Sequence, residues 1–145
     1  MTQQLPLLLK QLGQVLDIQD LTATDGYCCL FFDDIVINME ERDNALFLYT
    51  HLGPIPSNDR KALYAKLLEA NALFKATQGA TLGIDEASNM ILLSHQTPIS
   101  NLDYPAFEKT VENFINVAEA WIERIKDHGV RADATQPVTD AMLRV

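Results

Sequence analysis

Leu5, Leu8, Leu9, Leu12, Val15 and Leu16 recur in steps of three and one, the spacing of a single helical face. A helix is therefore expected from about Gln4 to Leu16, with Pro6 tolerated in its first turn. Asp17 to Gly26 is a polar link. Three short runs rich in aromatic and β-branched residues follow: Tyr27–Phe32, Ile35–Glu40 and Ala45–Leu52. The acidic turns Asp33-Asp34 and Glu41–Asn44 separate them, which is the pattern of an antiparallel meander. Gly53-Pro54-Ile55-Pro56 stops the third strand, and Ser57, Asn58 or Asp59 can cap a second helix reaching about Lys75. Its stripe is Leu63, Tyr64, Leu67, Leu68, Asn71 and Phe74. Two more strands, Ala80–Asp85 and Met90–His95, are joined at Glu86–Asn89. A third helix starts near Leu102 or Asp103. Its stripe, Tyr104, Phe107, Val111, Phe114, Ala118, Trp121 and Ile125, makes Trp121 a packing residue. Asp127-His128-Gly129 reads as its end, with Gly129 at C′. The order α-β-β-β-α-β-β-α places the chain in the α+β class, with helices on an antiparallel sheet. One domain is expected over residues 1–129, followed by a flexible tail over 130–145.

Two strands break the alternation expected of a sheet covered on one face. In the first, Cys28, Leu30 and Phe32 oppose Tyr27, Cys29 and Phe31. In the third, Leu46, Leu48 and Leu52 oppose Ala45, Phe47 and Tyr49. Apolar residues on both faces call for cover on both. Either the three helices supply all of it, or a second subunit or bound peptide supplies part.

With 145 residues and 48% hydrophobic content, the chain is long and apolar enough for one real core. A net charge of -9 disfavours nucleic acid or an anionic membrane as the main partner. No signal peptide is expected, because the first residues lack a cationic n-region and a cleavage site. No apolar run approaches the roughly 20 residues of a membrane span. Cys28 and Cys29 are neighbours on a strand, a poor geometry for a disulfide, so a reducing cytoplasm is the natural compartment.

Candidate chemistry is sparse. His51, His95 and His128 lie at the ends of different elements with no zinc-ligand spacing. Asp33, Asp34, Glu40, Glu41 and Asp43 cluster at turns without calcium-loop spacing. Cys28 or Cys29 beside a histidine would be the residue of a small cysteine-dependent enzyme, a remote alternative. Gly79 and Gly83 lack the Lys-Ser/Thr of a phosphate loop. No catalytic residue, metal or cofactor is expected. Asn71 on an apolar stripe has two readings: a local hydrogen bond fixing the helix to the next loop, or a specificity device at a subunit interface.

Several motifs, taken in order, resemble one family. They are the Leu-rich first helix; Gly26-x-Cys28-x-Leu30-x-Phe32-Asp33; Leu52-Gly53 with a following Pro; and Leu67-Leu68-x-x-Asn71. Gly79-Ala80-x-Leu82-Gly83-Ile84-Asp85, the Leu92-Leu93 strand and a last helix carrying Trp121 complete the set. The chain resembles the Tir chaperone (CesT) family, the class I chaperones of bacterial type III secretion, over roughly Leu5 to Ile125. The resemblance implies an acidic cytoplasmic homodimer without enzymatic activity. Its partner would be the N-terminal segment of a secreted effector, held extended. An alternative partner is a regulatory anti-activator, which would couple secretion to transcription. The resemblance assigns dimerisation to Leu67, Asn71, Phe74, Leu82 and Ile84. It assigns effector binding to Leu5, Leu9, Tyr27, Phe31, Phe47 and Tyr49.

Overall fold

The computed structural model describes residues 4–144, with side chains described through residue 129. The elements follow the expected order: α1 (Leu5–Leu16), β1 (Tyr27–Phe32), β2 (Ile35–Arg42), β3 (Ala45–Pro54), α2 (Arg60–Asn71), β4 (Thr81–Asp85), β5 (Met90–Pro98) and α3 (Tyr104–Arg144). A short 3-10 turn, Ala72–Phe74, follows α2. The strands form one antiparallel sheet in the order β1-β2-β3-β5-β4.

Several boundaries differ from expectation. β2 runs two residues further, because Glu41↔Leu46 and Arg42↔Ala45 keep pairing with β3. β3 gains Gly53 and Pro54 through pairing with Ile91 and Met90, and β5 runs on to Pro98 through pairing with Phe47, Leu46 and Ala45. α2 stops at Asn71 instead of near Lys75, because Leu73 and Phe74 adopt φ of 56° and 55°, a left-handed conformation that ends a helix. α3 does not stop at Gly129 but runs to Arg144. Glycine inside a helix costs only about 1 kcal/mol relative to alanine. The expectation of a flexible tail over 130–145 falls on residues whose side chains lie outside the description.

All three helices serve the same sheet face. Cys28, Leu30, Ile37, Met39, Leu46, Leu48, Ile91 and Leu93 point into the core, where they meet α1 through Leu5, Leu9 and Leu12. α3 contributes Phe107, Val111, Phe114, Ala118, Trp121 and Ile125, and α2 contributes Leu63 and Leu67. α3 crosses β2 and β3, and α2 lies against β4. The entry to β1 requires glycine. Gly26 sits at φ +76°, and a Cβ there would meet the Glu41 carbonyl oxygen at 2.8 Å.

Glu41 belongs to this architecture, not to a cation site. Its two carboxylate oxygens each accept a backbone N–H at 3.0 Å, from Gln4 and Leu5, at the start of α1. A carboxylate there satisfies orphan donors and complements the helix dipole. Among the described residues no group of three or more His, Cys, Asp or Glu is placed to hold a metal ion.

Asn71 takes the local reading. Its Nδ2 donates to the Leu82 carbonyl at 2.9 Å, and its Oδ1 accepts the Leu82 N–H at 2.8 Å. The side chain thus does for edge strand β4 what another strand would do at that residue. Asn71→Leu is expected to cost about 1–3 kcal/mol by leaving both Leu82 groups unpaired. Urea unfolding reads the loss, and hydrogen exchange should quicken at the Leu82 amide. An unchanged Leu82 exchange rate would contradict this pairing.

Candidate functional site

Facing away from the helices, the sheet is uncovered by the described residues. Register aligns Cys29, Asn38, Tyr49, Ser94 and Thr81 in one row across it. A neighbouring row runs Tyr27, Glu40, Phe47 and Gln96. Among the large apolar side chains here, Phe31 is 72% and Tyr27 40% exposed. Phe47 and Tyr49 are half-buried, with the Arg42 guanidinium 4.5 Å above the Phe47 ring. The Tyr27 hydroxyl donates to Asn38 Oδ1, and Asn38 Nδ2 donates to the Tyr49 carbonyl at 3.2 Å. These bonds tie three strands together and hold the aromatic rings in place.

β1 closes one side of the sheet, with no strand beyond it among the described residues. The Glu41 N–H donates to the Gly26 carbonyl at 2.8 Å, which sets the phase of the antiparallel ladder. Cys28, Leu30 and Phe32 therefore bond β2, and the main-chain groups of Cys29 and Phe31 point to the open edge. Tyr27 spends its own outward groups on Thr24, at 2.8 and 3.0 Å. The strand carries no proline and no charged residue, the usual guards of an edge.

Four of the residues expected to bind an effector, Tyr27, Phe31, Phe47 and Tyr49, are brought together here. Leu5 and Leu9 are not. Both are fully buried, on the inner face of α1 in the core it shares with α3 and the sheet. Among the residues expected at a dimer interface, Leu67 and Leu82 are 4% exposed and belong to the core. Phe74, at 51%, and Ile84, at 38%, reach the surface. Sequence reasoning missed Leu68 and Leu73, which are 70% and 96% exposed. The signal was present for Leu68. Neighbouring helical positions lie about 100° apart, so Leu67 and Leu68 cannot both sit at the centre of one inward stripe.

The thiols and imidazoles do not assemble. Burial pushes the Cys28 thiol up, with Cys29 adding to the effect, the opposite of an activated nucleophile. His51 Nε2 lies 3.0 Å from Asp85 Oδ2, and His95 Nδ1 lies 3.0 Å from the Gly79 carbonyl oxygen. His128 is buried between α2 and α3. Hydrogen bonds from His51 and Ser88 hold the Asp85 carboxyl below its ordinary range. No histidine meets a cysteine in these pairings.

The model of the Tir chaperone protein (CesT) family matches residues 7–122. The chain belongs to this family. A Chlamydia pneumoniae protein is 27% identical over 105 residues, spanning 71% of this chain and 79% of that protein. Among solved structures, a chain of the ExsC-ExsE complex superposes with a TM-score of 0.72 at 19% identity, covering 83% of this chain and 92% of that one. A chain of the HopA1-SchA chaperone-effector complex gives 0.66 at 23% identity, over 81% and 91%. A chain of the ExoT-SpcS complex from Pseudomonas aeruginosa gives 0.64 at 20%, over 83% and 98%. These likenesses establish the shared three-helix, five-strand fold. The CesT match covers α1 from its third residue, all five strands, α2 and the first half of α3, short of its last 22 residues. Among the described residues no helix of this CesT-family chain is long and apolar enough to cross a membrane.

Proposed function

We propose that this CesT-family protein is a cytoplasmic type III secretion chaperone that holds the N-terminal segment of a secreted effector in extended form. One observation carries the reading: β1 is an unguarded edge whose outward main-chain groups lie beside the exposed Phe31 and Tyr27 rings. An extended segment adding there gains main-chain hydrogen bonds from the edge. Its alternate side chains fall on the aromatic face. Affinity spread over many modest contacts suits a partner that must be released later, since a segment ordering on binding gives up part of its interaction energy. The chaperone-effector complex among the fold's relatives supports this choice of partner. A regulator that binds an anti-activator would use the same edge and differ only in its client.

The experiment is titration calorimetry against the N-terminal region of a secreted protein that co-purifies with this chain from its native host. Phe31→Ser is expected to weaken binding by roughly tenfold or more without loss of fold, since burying a Phe side chain contributes about 1.5–3 kcal/mol. Cys29→Pro removes one outward N–H while leaving the β2 ladder whole, and should weaken binding through the main chain alone. A negative heat-capacity change with weak salt dependence is the expected signature. Affinity that collapses with salt and ignores both substitutions would point to an acidic-patch binder and overturn the reading.

We further propose that the protein is a homodimer joined through the outer side of α2, the 3-10 turn and β4. Leu73 and Phe74 support it. Both sit in left-handed backbone that costs roughly 1–2 kcal/mol per residue, and both hold a large apolar side chain out to solvent. Strain spent on exposing hydrophobic groups points to a partner that covers them.

A further inference from the structure

On the far side of α2 lies a groove that neither the client edge nor the proposed dimer surface uses. It runs between α2, the residues Lys75 and Ala76 just past the 3-10 turn, and α3, is open to solvent, and measures about 680 Å³. Its charge is unlike that of the rest of the chain. In a protein of net charge -9, with 11 lysines and arginines in all, Lys66, Lys75 and Arg124 line this one groove. Lys75 is engaged by Glu69 at 3.4 Å. Lys66 and Arg124 are not in an ion pair with any described residue.

Both free cations are held in place. His128 Nε2 lies 3.2 Å from the Asp59 carbonyl oxygen, which can only accept, so Nε2 carries the imidazole hydrogen. Nδ1 is then the acceptor for the Lys66 ammonium, 3.3 Å away. Two ammonium hydrogens of Lys66 remain unspent on His128. The Arg124 guanidinium lies 4.8 Å above the Trp121 ring, a stacked arrangement that leaves its edge N–H groups free for a planar acceptor. Leu63, Ala70 and Ala76 add apolar lining.

We infer that this groove is a second binding site, for an acidic segment of a partner protein, with one carboxylate taken by Lys66 and Arg124. The charge count fits a single carboxylate flanked by apolar residues. Asp127 also lines the groove, so two free cations face one fixed carboxylate and the net local charge is about +1. A polyphosphate would meet Asp127 and Glu69 as well as the long-range repulsion of an acidic protein. The volume lies in the range of pockets that hold a drug-sized ligand or a few residues of peptide. Lys66 and Leu68 are about 200° apart around α2, so a dimer formed over Leu68 leaves the groove open. The protein could then hold an effector at β1 and a second partner here at the same time.

The probe is the blocked peptide acetyl-Leu-Glu-Leu-amide, whose only charge is the glutamate, compared with acetyl-Leu-Gln-Leu-amide. The chain has a single tryptophan, and it lies directly beneath Arg124, so its emission reports on the groove. The glutamate peptide is expected to change Trp121 emission and to bind about tenfold or more tightly than the glutamine peptide, the usual gain of a charge-assisted hydrogen bond. Lys66→Met should erase that preference, and Arg124→Gln gives the same test if Lys66→Met does not fold. Calorimetry decides any case in which emission is silent. Phe31→Ser should leave this binding unchanged, which separates failure here from failure at the client edge. Equal affinity for both peptides would reduce the site to an apolar groove. Displacement by equimolar inorganic phosphate would reduce it to a general anion site. Heat from neither peptide would remove it. Each of these overturns the inference.

Discussion

Leu68→Glu is expected to turn the proposed dimer into a folded monomer, with light scattering at micromolar concentration falling from about twice 16.2 kDa to that mass itself. Leu68 is exposed on the outer side of α2, so the substitution breaks nothing inside one chain. In a twofold interface each substituted position occurs twice, and an uncompensated charge in a desolvated site costs about 3–5 kcal/mol. The far-ultraviolet dichroism spectrum should be unchanged. Leu67→Asp makes the informative contrast. Leu67 is a core residue, so a charge there should unfold the chain and not merely separate two copies. A wild-type protein that already runs as a monomer at micromolar concentration would refute the dimer.

Trp121→Ala should cost about 3–5 kcal/mol, the range for deleting a buried tryptophan. The indole is buried at the junction of α3 with the segment after α2, and its Nε1 donates to the Ala76 carbonyl at 2.9 Å. Removing it opens a cavity and strips that carbonyl of its donor. Trp121→Phe keeps most of the volume and loses only the hydrogen bond, so about 1–3 kcal/mol is expected. Urea unfolding followed by dichroism measures both, since the fluorophore is gone. A Trp121→Ala variant within about 1 kcal/mol of wild type would show that α3 is not anchored through this ring.

Much of the fold was legible from local pattern. The 3.6-residue periods of α1 and α3, and the short aromatic and β-branched runs of the strands, are properties of single segments. The open sheet face was legible in part. Cys28, Leu30 and Phe32 against Tyr27, Cys29 and Phe31 declared two apolar faces, and Phe31 proved to be on the uncovered one. The sequence did not say which face that would be. Leu5 and Leu9 looked as available as Phe31 because an apolar stripe marks a helix face, not the layer that will cover it.

By itself the sequence determined the class, the order of elements and the acidity, which follow from composition and from periodicity within single segments, and the family, through the order and spacing of several motifs along the chain. Tertiary structure alone decided the rest. It put all three helices on one side of the sheet, which made Leu67 and Leu82 core and left Tyr27 and Phe31 to solvent. It turned Asn71 toward the backbone of β4 and Glu41 toward the start of α1. It gathered Lys66, Arg124 and His128 from helices some sixty residues apart into one groove. The physical reason is common to all of these. Periodicity fixes how a segment divides its own side chains between faces. Which face is buried, and which distant charges become neighbours, follows from the packing of layers that no single segment contains.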